Sequence, residues 1–164
     1  ILYQNHPAFA KIPGTETYRY HNLTPADVSG KHSIYDFTEQ GTRELVAQDY
    51  IYEIKRLADP AVNSPIFGVM ENYILGFTAF SNHLKSIESA NNAFIDLREH
   101  DLAGVKEIDR YTFEITIQGK YPQFLQWLAM PFFAPIPWEA AKFYSQKLLQ
   151  ERNITLDWYP VGTG

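Results

Sequence analysis

The hydrophobic period changes along this chain, and that change restricts the fold more than any other feature. In ELVAQDYIYEIKRLADP, residues 44–60, Ala47, Tyr50, Ile51, Ile54, Leu57 and Ala58 recur at the three-and-four spacing of one buried helical face. In GVKEIDRYTFEITIQG, residues 104–119, Tyr111, Phe113, Ile115 and Ile117 alternate with Thr112, Glu114 and Thr116, as on a half-buried strand. A chain carrying both periods is read as an α+β fold, a small antiparallel sheet with several packed helices.

The remaining segments fill in that outline. Lys55 and Arg56 suit the C-terminal end of the first helix, and Pro60 stops it. Asp49 and Glu53, at i and i+4, read as a solvated face. SPIFGVMENYILG predicts a short helix ending at Gly76, and the following stretch another with Phe80, Leu84 and Ile87 on one side. Val105 and Ile108 precede a hairpin turn at Asp109-Arg110. Pro122 opens a helix with Phe124, Leu125, Leu128 and Ala129 on one face. A last helix is predicted from Trp138 to Arg152, with Glu139 in its first turn and Ala141, Phe143, Tyr144 and Leu148 packed.

Residues 14–41 keep neither period and are punctuated by Gly14, Pro25, Gly30 and Gly41. They read as an exposed insertion or loop with a short strand at Thr17–Tyr20. We take residues 1–164 as one domain, long enough to bury a core without staples.

Composition narrows the chemistry. With no Cys among 164 residues there is no disulfide, thiolate nucleophile or Cys-held zinc. A net charge of −5 and the lack of a basic run argue against a nucleic-acid partner. The chain has no apolar stretch long enough to span a membrane and no signal-peptide pattern. Glu99-His100-Asp101 are adjacent residues that do not converge on one ion, and His6, His21, His32 and His83 lack ligand spacing, so surface positions are expected and no metal or cofactor. The G-x-G of Val161-Gly162-Thr163-Gly164 lacks the following helix of a phosphate loop and reads as a turn. No Ser nucleophile elbow is present. The 11 Tyr, 11 Phe and 3 Trp serve cores and ligand grooves alike.

Five stretches in order carry a resemblance: AQDYIYEIKRLADP with NSP, then ILG, GVKEIDRYTFEITI, YPQFLQWLAMPFFAPIP and PVGTG. Together, over about residues 45–164, they resemble the bacterial extracellular solute-binding family 5, the peptide- and nickel-binding receptors of ABC importers. QNHPAFAKI resembles the oligopeptide-binding subgroup. Val46 stands where the family has a Thr N-cap, and residues 14–41 do not follow the family's short connection.

The resemblance implies an excised, noncatalytic subdomain of one lobe of a two-lobed receptor, with the lobes closing over an oligopeptide or similar solute. It also implies a monomer, periplasmic or lipid-anchored, with an ABC transporter permease as partner. The turn-like PVGTG and the initial Ile1 fit a chain cut at both ends, whose termini then lie close together. In peptide-binding relatives the residue after Ser-Pro is often Tyr, which can reach the cleft. Here Pro65, Ile66 and Phe67 take that place as ligand-binding residues of the cleft rim, with plain packing of Ile66 and Phe67 as the other reading. The family's acidic residue for a peptide amino terminus lies on the other lobe. Two readings from other classes stay open: a small self-contained hydrolase using Asp or Glu in an aromatic cleft, and a carbohydrate-binding module with a row of aromatics on one sheet face.

Overall fold

A computed structural model describes residues 1–91 and 94–163. Its contacts divide into two compact units, one formed by Ile1–Leu45 with Ile136–Gly164 and the other by Val46–Pro135. Among the described residues there are six α-helices and one two-stranded antiparallel sheet, the expected α+β class. No helix among them is long and apolar enough to cross a membrane.

The Val46–Pro135 unit is built on helix α1, Ala47–Ala58. Its start lacks the hydroxyl cap, and two other acceptors satisfy the neighbouring amides of Val46 and Ala47. Asp49 reaches back so that its Oδ2 accepts the Val46 N–H at 3.0 Å, and the Arg110 carbonyl accepts the Ala47 N–H at 2.9 Å. The helix ends at Asp59, which is extended as a residue before proline must be, and whose carboxylate accepts the Ala61 N–H.

Helix α1 is buried more widely than its period indicates. Ile51, Ile54, Leu57 and Ala58 are core residues as expected, but Tyr52, Asp49, Glu53 and Lys55 are buried too. The solvated face predicted for Asp49 and Glu53 is therefore incorrect: the hairpin, helix α3 and the turns at Leu97–Glu99 and Pro131–Phe133 all pack on this one helix. Asp49 is spent on the cap, and Lys55 Nζ donates to the Leu97 carbonyl at 3.1 Å. Tyr50, half-buried, stacks on Phe113 at 5.4 Å.

Helix α2 is only Phe67–Met70, and α3 runs Phe77–Asn91. Gly76 does not end α2 as expected. With φ of +75° it turns the chain into α3, whose Phe77, Phe80 and Leu84 are buried. The strands are β1, Val105–Asp109, and β2, Thr112–Ile115. Val105 pairs with Ile115 and Asp109 with Thr112, with a register irregularity between Glu107 and Asp109. The turn falls at Arg110-Tyr111, one residue later than predicted, held by Asp109 Oδ1 accepting the Tyr111 N–H at 2.8 Å. Ile108 and Tyr111 are exposed, because the bulge and turn carry them off the packed face; Phe113 and Ile115 remain half-buried.

Beyond β2, the Thr116 N–H donates to Gly104 O at 2.8 Å and the Leu75 N–H donates to Thr116 O at 3.1 Å. A Cβ on Gly104 would lie 2.5 Å from the Leu75 carbonyl oxygen, so this close crossing of backbones requires glycine. Helix α4, Phe124–Leu128, starts two residues after Pro122 and is too short to bury the predicted face. Phe124 is buried, while Leu125 is 73% exposed.

The other unit gathers its core from both ends of the sequence. Phe9, Val28, Phe37, Phe143, Leu149 and Ile154 are among its buried residues. Residues 14–41, read as an exposed insertion, contain no α-helix or strand, only the 3-10 turn Ile34–Asp36 and two isolated bridges, His6 with Gly41 and, where a strand was expected, Lys11 with Tyr18. Yet Tyr20, Val28, Ile34 and Phe37 within them are core residues, and Phe37 packs edge-on against Phe143 at 5.6 Å.

The predicted last helix is two, α5 at Trp138–Tyr144 and α6 at Lys147–Gln150. Gln146 breaks them with extended backbone, and its side chain turns to that loop, accepting the Leu23 N–H at 2.7 Å and donating to Tyr20 O at 2.8 Å. The chain ends do meet: the Gln4 N–H donates to Gly162 O at 2.8 Å, and its side-chain amide to Pro160 O. Gly164 of the predicted turn lies outside the described residues.

Candidate functional site

The Ser64–Phe67 segment follows a tight turn in which Asn63 takes φ of +51°, a conformation Asn tolerates. The Ser64 carbonyl then accepts the Phe67 N–H at 3.2 Å, and the Ile66 carbonyl accepts from Val69 and Met70 at 3.0 Å, starting α2. Pro65 is exposed, Ile66 is buried in the core and Phe67 is half-buried, its ring 5.4 Å from that of Phe77. These three residues therefore do not present one common face. Beside them, Ser64 Oγ is buried and makes no hydrogen bond among the described residues, a feature no sequence pattern signals.

Polar chemistry is concentrated elsewhere and is already internally satisfied. In the unit formed by the two chain ends, His6 is fully buried, contrary to its expected surface position. Its Nδ1 accepts the Ala8 N–H at 3.1 Å, which leaves the proton on Nε2 to donate to Tyr144 Oη at 2.8 Å. Tyr144 in turn donates to Tyr159 O at 2.7 Å. Burial lowers the His6 pKa to about 4, so the ring is neutral, and both nitrogens are occupied. His21 is also buried, bonded to Ala8 O at 3.0 Å and stacked on Tyr18.

Glu139 on α5 is engaged at both oxygens. Arg43 Nε and Nη2 each donate to it at 2.7 Å, and Tyr18 Oη adds a third bond at 3.0 Å. Glu53 on α1 is pushed up to about 7 by burial, opposed by the Arg56 guanidinium bonded to it at 2.8 Å. A carboxyl with that pKa suits proton transfer, but Glu53 belongs to the buried circumference of α1, with Arg56 on it. Among the described residues, no three His, Asp or Glu side chains gather as a metal cluster. His100 instead meets His83, with Nε2 of His83 3.3 Å from Nδ1 of His100.

The architecture is that of a small α+β protein whose buried ionisable side chains are bonded within the protein. Over 110 residues, 67% of its length, the chain is 31% identical to the periplasmic oligopeptide-binding protein OppA of Salmonella typhimurium strain LT2. Over 111 residues it is 30% identical to the protein of the same name from Escherichia coli strain K12. Each match takes in 18% of the relative's length. The chain is thus related, over two thirds of itself, to proteins named for binding peptides. No family model matches it, and no solved structure does.

Proposed function

We propose that this chain is a noncatalytic α+β part of a periplasmic or lipid-anchored solute-binding protein of the family 5 type, delivering oligopeptides to an ABC importer. The observation that carries this is the similarity to two oligopeptide-binding proteins over two thirds of the chain. In such a receptor the ligand stabilises the closed lobes through greater affinity for that state. In this reading, Pro65, Ile66 and Phe67 edge the cleft. The exposed ring of Pro65 and the half-buried Phe67 supply apolar contact, and Ile66 holds them from beneath.

The test is binding of a peptide library to the full-length receptor and to residues 1–164 alone. The full-length protein is expected to bind and the short chain to show no micromolar affinity in calorimetry. Absence of peptide binding by the whole receptor would overturn the proposal. Replacing Phe67 by Ala in the full-length protein tests the rim; unchanged affinity would remove it from the site.

A further inference from the structure

The paired imidazoles of His83 and His100 are a polar contact that the proposed function does not use. They come from different elements, His83 from the middle of α3 and His100 from the end of the Leu97–Glu99 turn, 17 residues apart in sequence. Their facing nitrogens are 3.3 Å apart, the ring planes are inclined by 63°, and the contact is solvent-exposed.

That distance has a second meaning. Zinc takes imidazole nitrogens at about 2.0–2.1 Å in tetrahedral geometry, so two such ligands on one ion lie about 3.4 Å from each other. The pair is spaced as two adjacent corners of that tetrahedron. We propose that His83 Nε2 and His100 Nδ1 form a two-imidazole site for a divalent transition-metal ion such as zinc or copper, with water completing the coordination.

Binding needs both facing nitrogens unprotonated. At present one ring donates its N–H to the other's lone pair. When the ion enters, that proton moves to the far nitrogen of the same ring, and both facing lone pairs turn onto the metal. Because each ring stays neutral, no net proton is released from the neutral pair. His6 and His21 cannot compete, being buried and already bonded. The exposed His32 is the natural control.

The experiment titrates tag-free protein with ZnCl2 in calorimetry and with Cu2+ in electron paramagnetic resonance. One ion per chain and nitrogen hyperfine structure from two imidazoles are expected. His83→Gln and His100→Gln should each weaken binding about 100-fold, the penalty of losing one arm of a chelate, while His32→Gln leaves it unchanged. Circular dichroism of the variants establishes that each remains folded. No saturable binding, or affinity retained in either His83→Gln or His100→Gln, would overturn the site. The result does not depend on whether the chain belongs to a peptide receptor.

Discussion

Arg43 and Glu139 are joined by two parallel hydrogen bonds of 2.7 Å, and the carboxylate is 2% exposed while the arginine side chain is 25% exposed. The two partners are therefore not equivalent. Removing the arginine strands a buried charge, whereas removing the carboxylate leaves a cation that can reach water.

Arg43→Ala is expected to destabilise by about 3–5 kcal/mol, the cost of breaking a buried pair from one side. Glu139→Gln, which keeps an acceptor for Arg43 and Tyr18, should cost clearly less. Urea denaturation of both variants checks the order, and equal losses would contradict it.

His6 gives the unit formed by the chain ends a pH dependence of definite sign. Its pKa is lowered from 6.5 to about 4 in the folded state, so between these values the unfolded chain binds the proton and the folded one does not. Stability is fully present above about pH 6.5 and falls by about 3 kcal/mol as pH drops to 4. His6→Gln should lower stability at neutral pH but flatten its decline toward acid. A decline as steep as that of the parent protein would count against His6 as its source.

Glu53 works in the opposite direction within the Val46–Pro135 unit. Burial raises its pKa from 4.5 to about 7, so the folded form holds the proton more tightly. The associated stability is present below about pH 4.5 and is lost as pH rises through 7. Glu53→Gln, which cannot ionise, should gain stability relative to the parent between pH 5 and pH 8. Denaturation midpoints for both proteins across that range test this, and parallel curves would sink it.

Gln146→Ala removes the acceptor of the Leu23 N–H and a donor to Tyr20 O, in the part-buried contact that fastens residues 14–41. The expected loss is about 1–3 kcal/mol, the cost of leaving such groups unpaired. Limited proteolysis should then cut within residues 20–40 faster than in the parent. An unchanged cleavage rate would show that the apolar anchors Val28 and Phe37 suffice.

The elements that the sequence discloses are those whose cause is local. Helix α1 and the β1–β2 hairpin follow from the spacing of their own apolar residues, and Pro60 marks the stop of α1. The break between α5 and α6 is only partly local, since Gln146 donates to Phe143 O but also satisfies backbone groups more than 120 residues away. The burial of Asp49, Glu53 and Lys55 is equally illegible, because it arises from four elements converging on one helix. At the candidate site, the burial of Ile66 accords with the packing reading, but the unpaired Ser64 hydroxyl depends on three-dimensional surroundings. The His83–His100 contact likewise joins a helix and a turn that no spacing rule connects.

One unit is an unbroken run, Val46–Pro135, while the other draws on both Ile1–Leu45 and Ile136–Gly164. During synthesis the uninterrupted piece has every residue it needs once Pro135 has emerged from the ribosome. Phe9 and Phe37 must wait, their apolar surfaces unmatched, until Phe143 arrives. Growth of the polypeptide thus sets a timetable: the middle matures first, and the amino-terminal segment stays vulnerable to aggregation and chaperone capture in the interval.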